Sequence, residues 1–292
     1  MTVTFSQPRE KMFSFKISSY FSKIRSWQWI FFAIIALINL VIYFPSFWHI
    51  ARSDQIVYLA NSAQTNSWFS LITDFYSYSR SDYPYYTGEL MSFRPLFFFI
   101  LGTERWFFGY HFMLWHIAGL LFHLIFLWQL LALLYRIRPG FFAAAWTLFF
   151  SVMFANIEMV IWENVSIYMI FLACIVFCLR QAYEICLKQK ITHRQIIGLT
   201  VALLIASFLY ELGFIFSLLF FFFLCVMRYP VVPRHVPQKN TLRLLILLPF
   251  ILYIAFNLLD WQARHLAPTA GRREIVVHKA DVILGGSADD HG

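Results

Sequence analysis

The sequence predicts an all-α integral membrane protein, with about seven transmembrane helices and further interfacial helices in a long first outer loop. Three observations predict it. Of the 292 residues, 60% are hydrophobic and only 13% are charged, against roughly half apolar and a quarter charged in an ordinary soluble domain. The apolar residues come in runs approaching or reaching the roughly 20 residues that a bilayer core requires. Lysine and arginine collect in alternate connecting segments, as they do in cytoplasmic loops. The first two observations exclude a water-soluble fold.

The elements follow in order. Residues 1–26 form a basic N-terminus carrying Arg9, Lys11, Lys16, Lys23 and Arg25. The run 27–48 is too long for a signal-peptide core and lacks a small-residue cleavage site, so it reads as an uncleaved first span. The outer loop 49–110 comes next. In it Ser53 can cap a helix starting at Asp54, with Ile56, Leu59, Ala60 and Ala63 recurring on one face. A Tyr- and Ser-rich stretch, 75–87, leads to Arg94-Pro95-Leu96, where Pro95 suits the first position of a second, interfacial helix. Spans are expected at about 111–135, 141–156, 166–183, 195–210, 213–227 and 244–259, and the shorter ones read as helical hairpins or as helices broken near the outer surface. Residues 261–292 read as a polar tail, on the outer side and disordered, including its Asp289-Asp290-His291 ending.

Charge sets the orientation. With the N-terminus cytoplasmic, fifteen Lys and Arg fall inside, none in the short outer turns near 157–165 and 211–212, and four (Arg52, Arg80, Arg94, Arg105) in the long outer loop. The acids polarise oppositely. Glu10 and Glu184 are inside, whereas Asp54, Asp74, Asp82, Glu89, Glu104, Glu158, Glu163, Glu211 and Asp260 are outside. A set of outer carboxylates suits cation binding or acid/base chemistry, or simply solvated loops. The net charge of +8 lies beside apolar spans, so membrane lipid is the expected partner and nucleic acid is not. Cys174, Cys178, Cys186 and Cys225 show no metal spacing and read as small apolar residues. His116 and His123, seven apart on one helix face, read as donors between packed helices. Asn164-Val165-Ser166 matches a glycosylation acceptor but lies too near the membrane to be read as one.

Several short motifs add a resemblance. They are Asp54 just after the first span, Ser92-Phe93-Arg94-Pro95-Leu96, Gly109-Tyr110-His111, His116-x-x-Gly-Leu-Leu-Phe-His123, Asn156-Ile-Glu158-Met-Val-Ile-Trp162 and Tyr210-Glu211. Together they resemble the N-terminal portion of the GT-C superfamily of membrane glycosyltransferases, and within it the relatives of protein O-mannosyltransferases. The resemblance spans residues 27–260. It implies transfer of a sugar from a polyprenyl-phosphate donor to an acceptor at the outer, periplasmic or luminal, face. It also implies catalytic roles for Asp54 and Glu158, with Asp54 as the base that deprotonates the acceptor, and substrate binding by Arg52, Arg94, His111 and Glu211. No resident metal ligand is identified. The cofactor is left open, a divalent cation being compatible with the acids, and sugar and acceptor are not specified. Asn156 and Tyr210 stand where that family has His and Lys. A non-enzymatic or truncated relative acting as a membrane subunit therefore stays open, as does a transporter or flippase. Compact loops and the lack of a retention signal favour a bacterial plasma membrane.

Overall fold

The computed structural model describes residues 27–48, 94–153, 160–161, 163–188, 192–226 and 245–258. The basic N-terminus, the helix expected from Asp54, residues 154–159 and the tail 261–292 lie outside the described residues.

Among the described residues every regular element is helical. Helix α1, residues 27–43, tightens into a 3-10 turn over Phe44–Trp48, where Pro45 brings no N–H to continue the ladder. Helix α2 spans Pro95–Phe108 with Pro95 at its first position, as the sequence predicts. Helix α3 is the longest, Phe112–Ile137, and stops before Pro139-Gly140. Then come α4 (Phe141–Ser151), α5 (Tyr168–Lys188), α6 (His193–Leu209), α7 (Leu212–Val226) and α8 (Leu245–Leu258). Helix α6 begins two residues before the expected 195 because Thr192 and Gln195 form a reciprocal capping box, satisfying N–H groups that would otherwise be orphaned.

Among the described residues three segments are long and apolar enough to cross a membrane: Trp27–Trp48, Phe112–Ile137 and Tyr168–Leu187. Helices α4, α6, α7 and α8 are apolar and shorter. Large apolar side chains also cover the outside. Leu121, Ile125, Phe141, Phe149, Leu219 and Phe222 are all exposed, and helices apolar on every side belong in a non-aqueous solvent.

Contacts fix the running directions. Trp29 stacks on Trp128 at 4.1 Å between ring centroids and Phe31 lies 6.3 Å from Tyr135, whereas Tyr43 meets His123, so α1 is antiparallel to α3. Phe150 packs on Phe126, which sets α4 antiparallel to α3 as well. Ser166, just before α5, touches α3 at Gly119, while Arg136 meets Glu184 at the other end, so α3 and α5 are parallel. Tyr210 against Tyr168 and Gly198 against Phe177 make α5 and α6 antiparallel. Phe214 against Phe250 and Tyr253 returns α8 beside α7. The bundle thus has an end holding residues 94, 111, 168 and 211, and an opposite end holding residues 136, 138, 184 and 194.

Two glycines permit this packing. A Cβ at Gly119 would stand 2.9 Å from the Val160 carbonyl oxygen and 3.1 Å from the Ser166 Cβ. A Cβ at Gly213 would collide with the backbone of Ala206 and Ser207, because α7 folds straight back on α6. Small residues are what allow helix backbones to approach so closely. Polar side chains join the same helices inside the bundle: Asn39 Nδ2 donates to Ser151 Oγ at 3.1 Å, Tyr43 OH donates to the Ser151 carbonyl at 3.1 Å, and the Ser207 and Ser217 hydroxyls lie 3.5 Å apart. In an apolar surround such pairs keep buried dipoles satisfied.

Candidate functional site

The site grows from a break in the helices. The chain cannot continue α6 past Leu209, because Tyr210 is extended (φ −153°, ψ 140°), and the Gly213 N–H then bonds the Tyr210 carbonyl at 2.8 Å to start α7. Glu211 is left in the turn between α6 and α7, at the same bundle end as the start of α2. Arg94, the residue capping α2, reaches it. Its Nε donates to Glu211 Oε1 at 2.7 Å, and its Nη1 donates to Tyr168 OH at 2.5 Å.

Aromatic rings enclose the guanidinium. It lies 4.8 Å from the Tyr210 ring centroid and 5.8 Å from that of Tyr168, where the ring quadrupole attracts a cation. Phe97 stacks on Tyr168 at 5.4 Å, and Tyr210 packs against Tyr168 and Phe171. Beneath them Phe97, Leu101, Trp115, Ile167, Phe171, Ala206 and Leu209 form one buried cluster, which holds the rings in place. Tyr253 of α8 lies within electrostatic reach of Glu211 and Arg94. The two charged side chains keep 23% and 25% of their surface in contact with solvent, so the pair is neither sealed nor free. Burial pulls the Arg94 pKa down, but the Glu211 hydrogen bond and the nearby charges outweigh it and leave it raised above the ordinary arginine value. Arg94 is a fixed cation. Among the described residues two of its five N–H groups are committed, which leaves three for an oxyanion.

Of the residues that the sequence singles out, the structure brings Arg94 and Glu211 together. His111 is at the same bundle end, capping α3 with no side-chain hydrogen bond to it and with its ring exposed. No hydrogen bond or ion pair joins it to Arg94 or Glu211 among the described residues. Arg52, Asp54 and Glu158 lie outside those residues. No group of three or more His, Cys, Asp or Glu stands together among the described residues. Tyr168 is the functional candidate that sequence reasoning missed. Its only signal is its place at the start of a span, where tyrosines gather in any case. His123 takes the place between helices expected of it: it is fully buried, its ring lies 5.7 Å from that of Tyr43 on α1, and the Ser151 backbone of α4 stands beside it.

No family model, curated protein or solved structure matches the chain.

Proposed function

We propose that the protein is a membrane glycosyltransferase of GT-C type that moves a sugar from a polyprenyl-phosphate donor to an acceptor at the membrane face bearing Arg94 and Glu211. In this reading the chain crosses a plasma membrane of bacterial type about seven times with its N-terminus in the cytoplasm, and α2 lies at the outer interface. The observation that carries it is the Arg94 array, a guanidinium held in one orientation by Glu211 and Tyr168 with three N–H groups uncommitted among the described residues. A planar fork held this way suits a phosphate oxygen pair, and orientation of the leaving phosphate is what such a transfer needs.

Chain tethers support the assignment of acids. Asp54 follows Trp48 by six residues, a reach of at most about 20 Å from the end of α1. Glu158 precedes Val160 by two residues, and Val160 is buried against α3 at Gly119. In this reading both acids act at the Arg94 end. In the reaction Asp54 takes the acceptor hydroxyl proton, the oxygen bonds to the anomeric carbon, and the bond to the carrier phosphate breaks with its electron pair leaving on phosphate.

The test supplies purified protein with radiolabelled polyprenyl-phosphate sugars and a panel of acceptors, comparing wild type with Asp54→Asn. Transfer by the wild type and a loss of about 100-fold or more in the variant are expected, the range for removing a general base. Donor binding with no transfer in either form defeats the proposal. A second reading, a non-catalytic membrane subunit, is favoured by one observation: Glu211 already neutralises Arg94, as in a purely structural tie of α2 to the α6–α7 turn. The same assay separates the two.

A further inference from the structure

Among the described residues the opposite end of the bundle gathers arginines around one glutamate. The Nε of Arg136, at the end of α3, lies 3.3 Å from Glu184 Oε1. Arg180 stands one helical turn before Glu184 on α5, near enough for Glu184 to attract it and for Arg136 to repel it. Two guanidinium groups therefore share one carboxylate. Arg138, capping α3, adds a further exposed cation whose guanidinium lies 5.0 Å from the Phe142 ring centroid.

Arg180 is the informative member. Its guanidinium lies 5.2 Å from the Phe177 ring centroid, and its Nε is buried with no hydrogen-bond partner among the described residues. Eight residues separate it from the end of α5 at Lys188, about 12 Å along the helix axis. An arginine at that depth bends its head toward the interface and draws in an anion, since an uncompensated charge near hydrocarbon is costly. The adjoining surface is apolar: Leu179, Leu187, Ile137 and Phe141 are all exposed. A cationic fork over an acyl-compatible surface matches one kind of ligand, with a single negative phosphate diester above and hydrocarbon below.

We infer that Arg180, Arg136 and Arg138 form a binding site for the headgroup phosphate of an anionic phospholipid. The site is at the end of the bundle opposite Arg94 and is separate from the proposed transfer chemistry. Arg180 grips the phosphate through its planar edge, and Glu184 limits the affinity by holding part of the positive charge.

Native mass spectrometry of the full chain, released from nanodiscs of mixed phosphatidylglycerol and phosphatidylcholine, reads the retained lipid. Wild type retains phosphatidylglycerol preferentially, and Arg180→Gln lowers that preference about fivefold, the effect of one basic residue at a membrane surface. Glu184→Gln raises it, because it frees Arg136. That gain cannot arise from a misfolded chain, so the test survives if Arg180→Gln does not fold. Excess inorganic phosphate leaves the retained lipid in place. Equal retention of the two lipids by wild type, a fall with Glu184→Gln, or displacement by inorganic phosphate overturns the inference.

Discussion

Each end of the bundle carries an arginine–glutamate pair, and the two pairs are built differently. Arg94 and Glu211 come from chain positions 117 residues apart, meet at 2.7 Å, and are walled by Tyr168 and Tyr210. Arg136 and Glu184 meet at 3.3 Å, with the arginine side chain 52% exposed and the glutamate 13%. The same two residue types thus serve as a positioned device at one end and, at the other, as a longer contact whose arginine stands in solvent. A half-buried, multiply bonded pair resists being broken, because removing one partner strands the other in an apolar surround. An ion pair whose arginine is exposed is worth less.

Substitutions at the two ends sharpen the contrast. Arg94→Ala should cost about 3 kcal/mol in a denaturant titration of the purified protein, since it leaves the Glu211 carboxylate without its cation beside buried rings. Gly213→Ala should cost about 2 kcal/mol in the same titration, because the new methyl group enters the Ala206–Ser207 backbone and pushes α7 off α6 at the turn that presents Glu211. Tyr168→Phe removes one hydrogen bond from a charged donor and keeps the ring. About 1.5 kcal/mol is expected. Arg136→Ala should change stability by about 0.5 kcal/mol or less, and by less still in high salt. If Arg136→Ala were as damaging as Arg94→Ala, the two ends would not differ in the way described.

The apolar segments were legible because burial in lipid leaves a one-dimensional signature. Runs expected at 111–135 and 244–259 emerge as Phe112–Ile137 and Leu245–Leu258, and Pro95 marked the start of α2 correctly. The capping pair Thr192 and Gln195 was readable and explains a two-residue shift in α6. The partner of Arg94 was not legible. Nothing local in the sequence links position 94 to positions 168 and 211, because that contact depends on how α2, α5 and the α6–α7 turn pack. The weight given to Arg94 and Glu211 came from short motifs, and the structure adds the one fact those motifs lack, that the two side chains touch. His123 was legible in part: its spacing from His116 put it on a packed helix face, but its neighbours, Tyr43 and the Ser151 backbone, are set by the packing of α1 and α4.

The proposed roles of the two ends require that they lie at opposite membrane faces. Single cysteines at His111→Cys and Arg138→Cys, in a background with the four native cysteines replaced by alanine, can be labelled in sealed vesicles of one orientation with a membrane-impermeant maleimide. The polarised bundle predicts that one position labels before lysis and the other only after it. Labelling of both positions from the same side would contradict it.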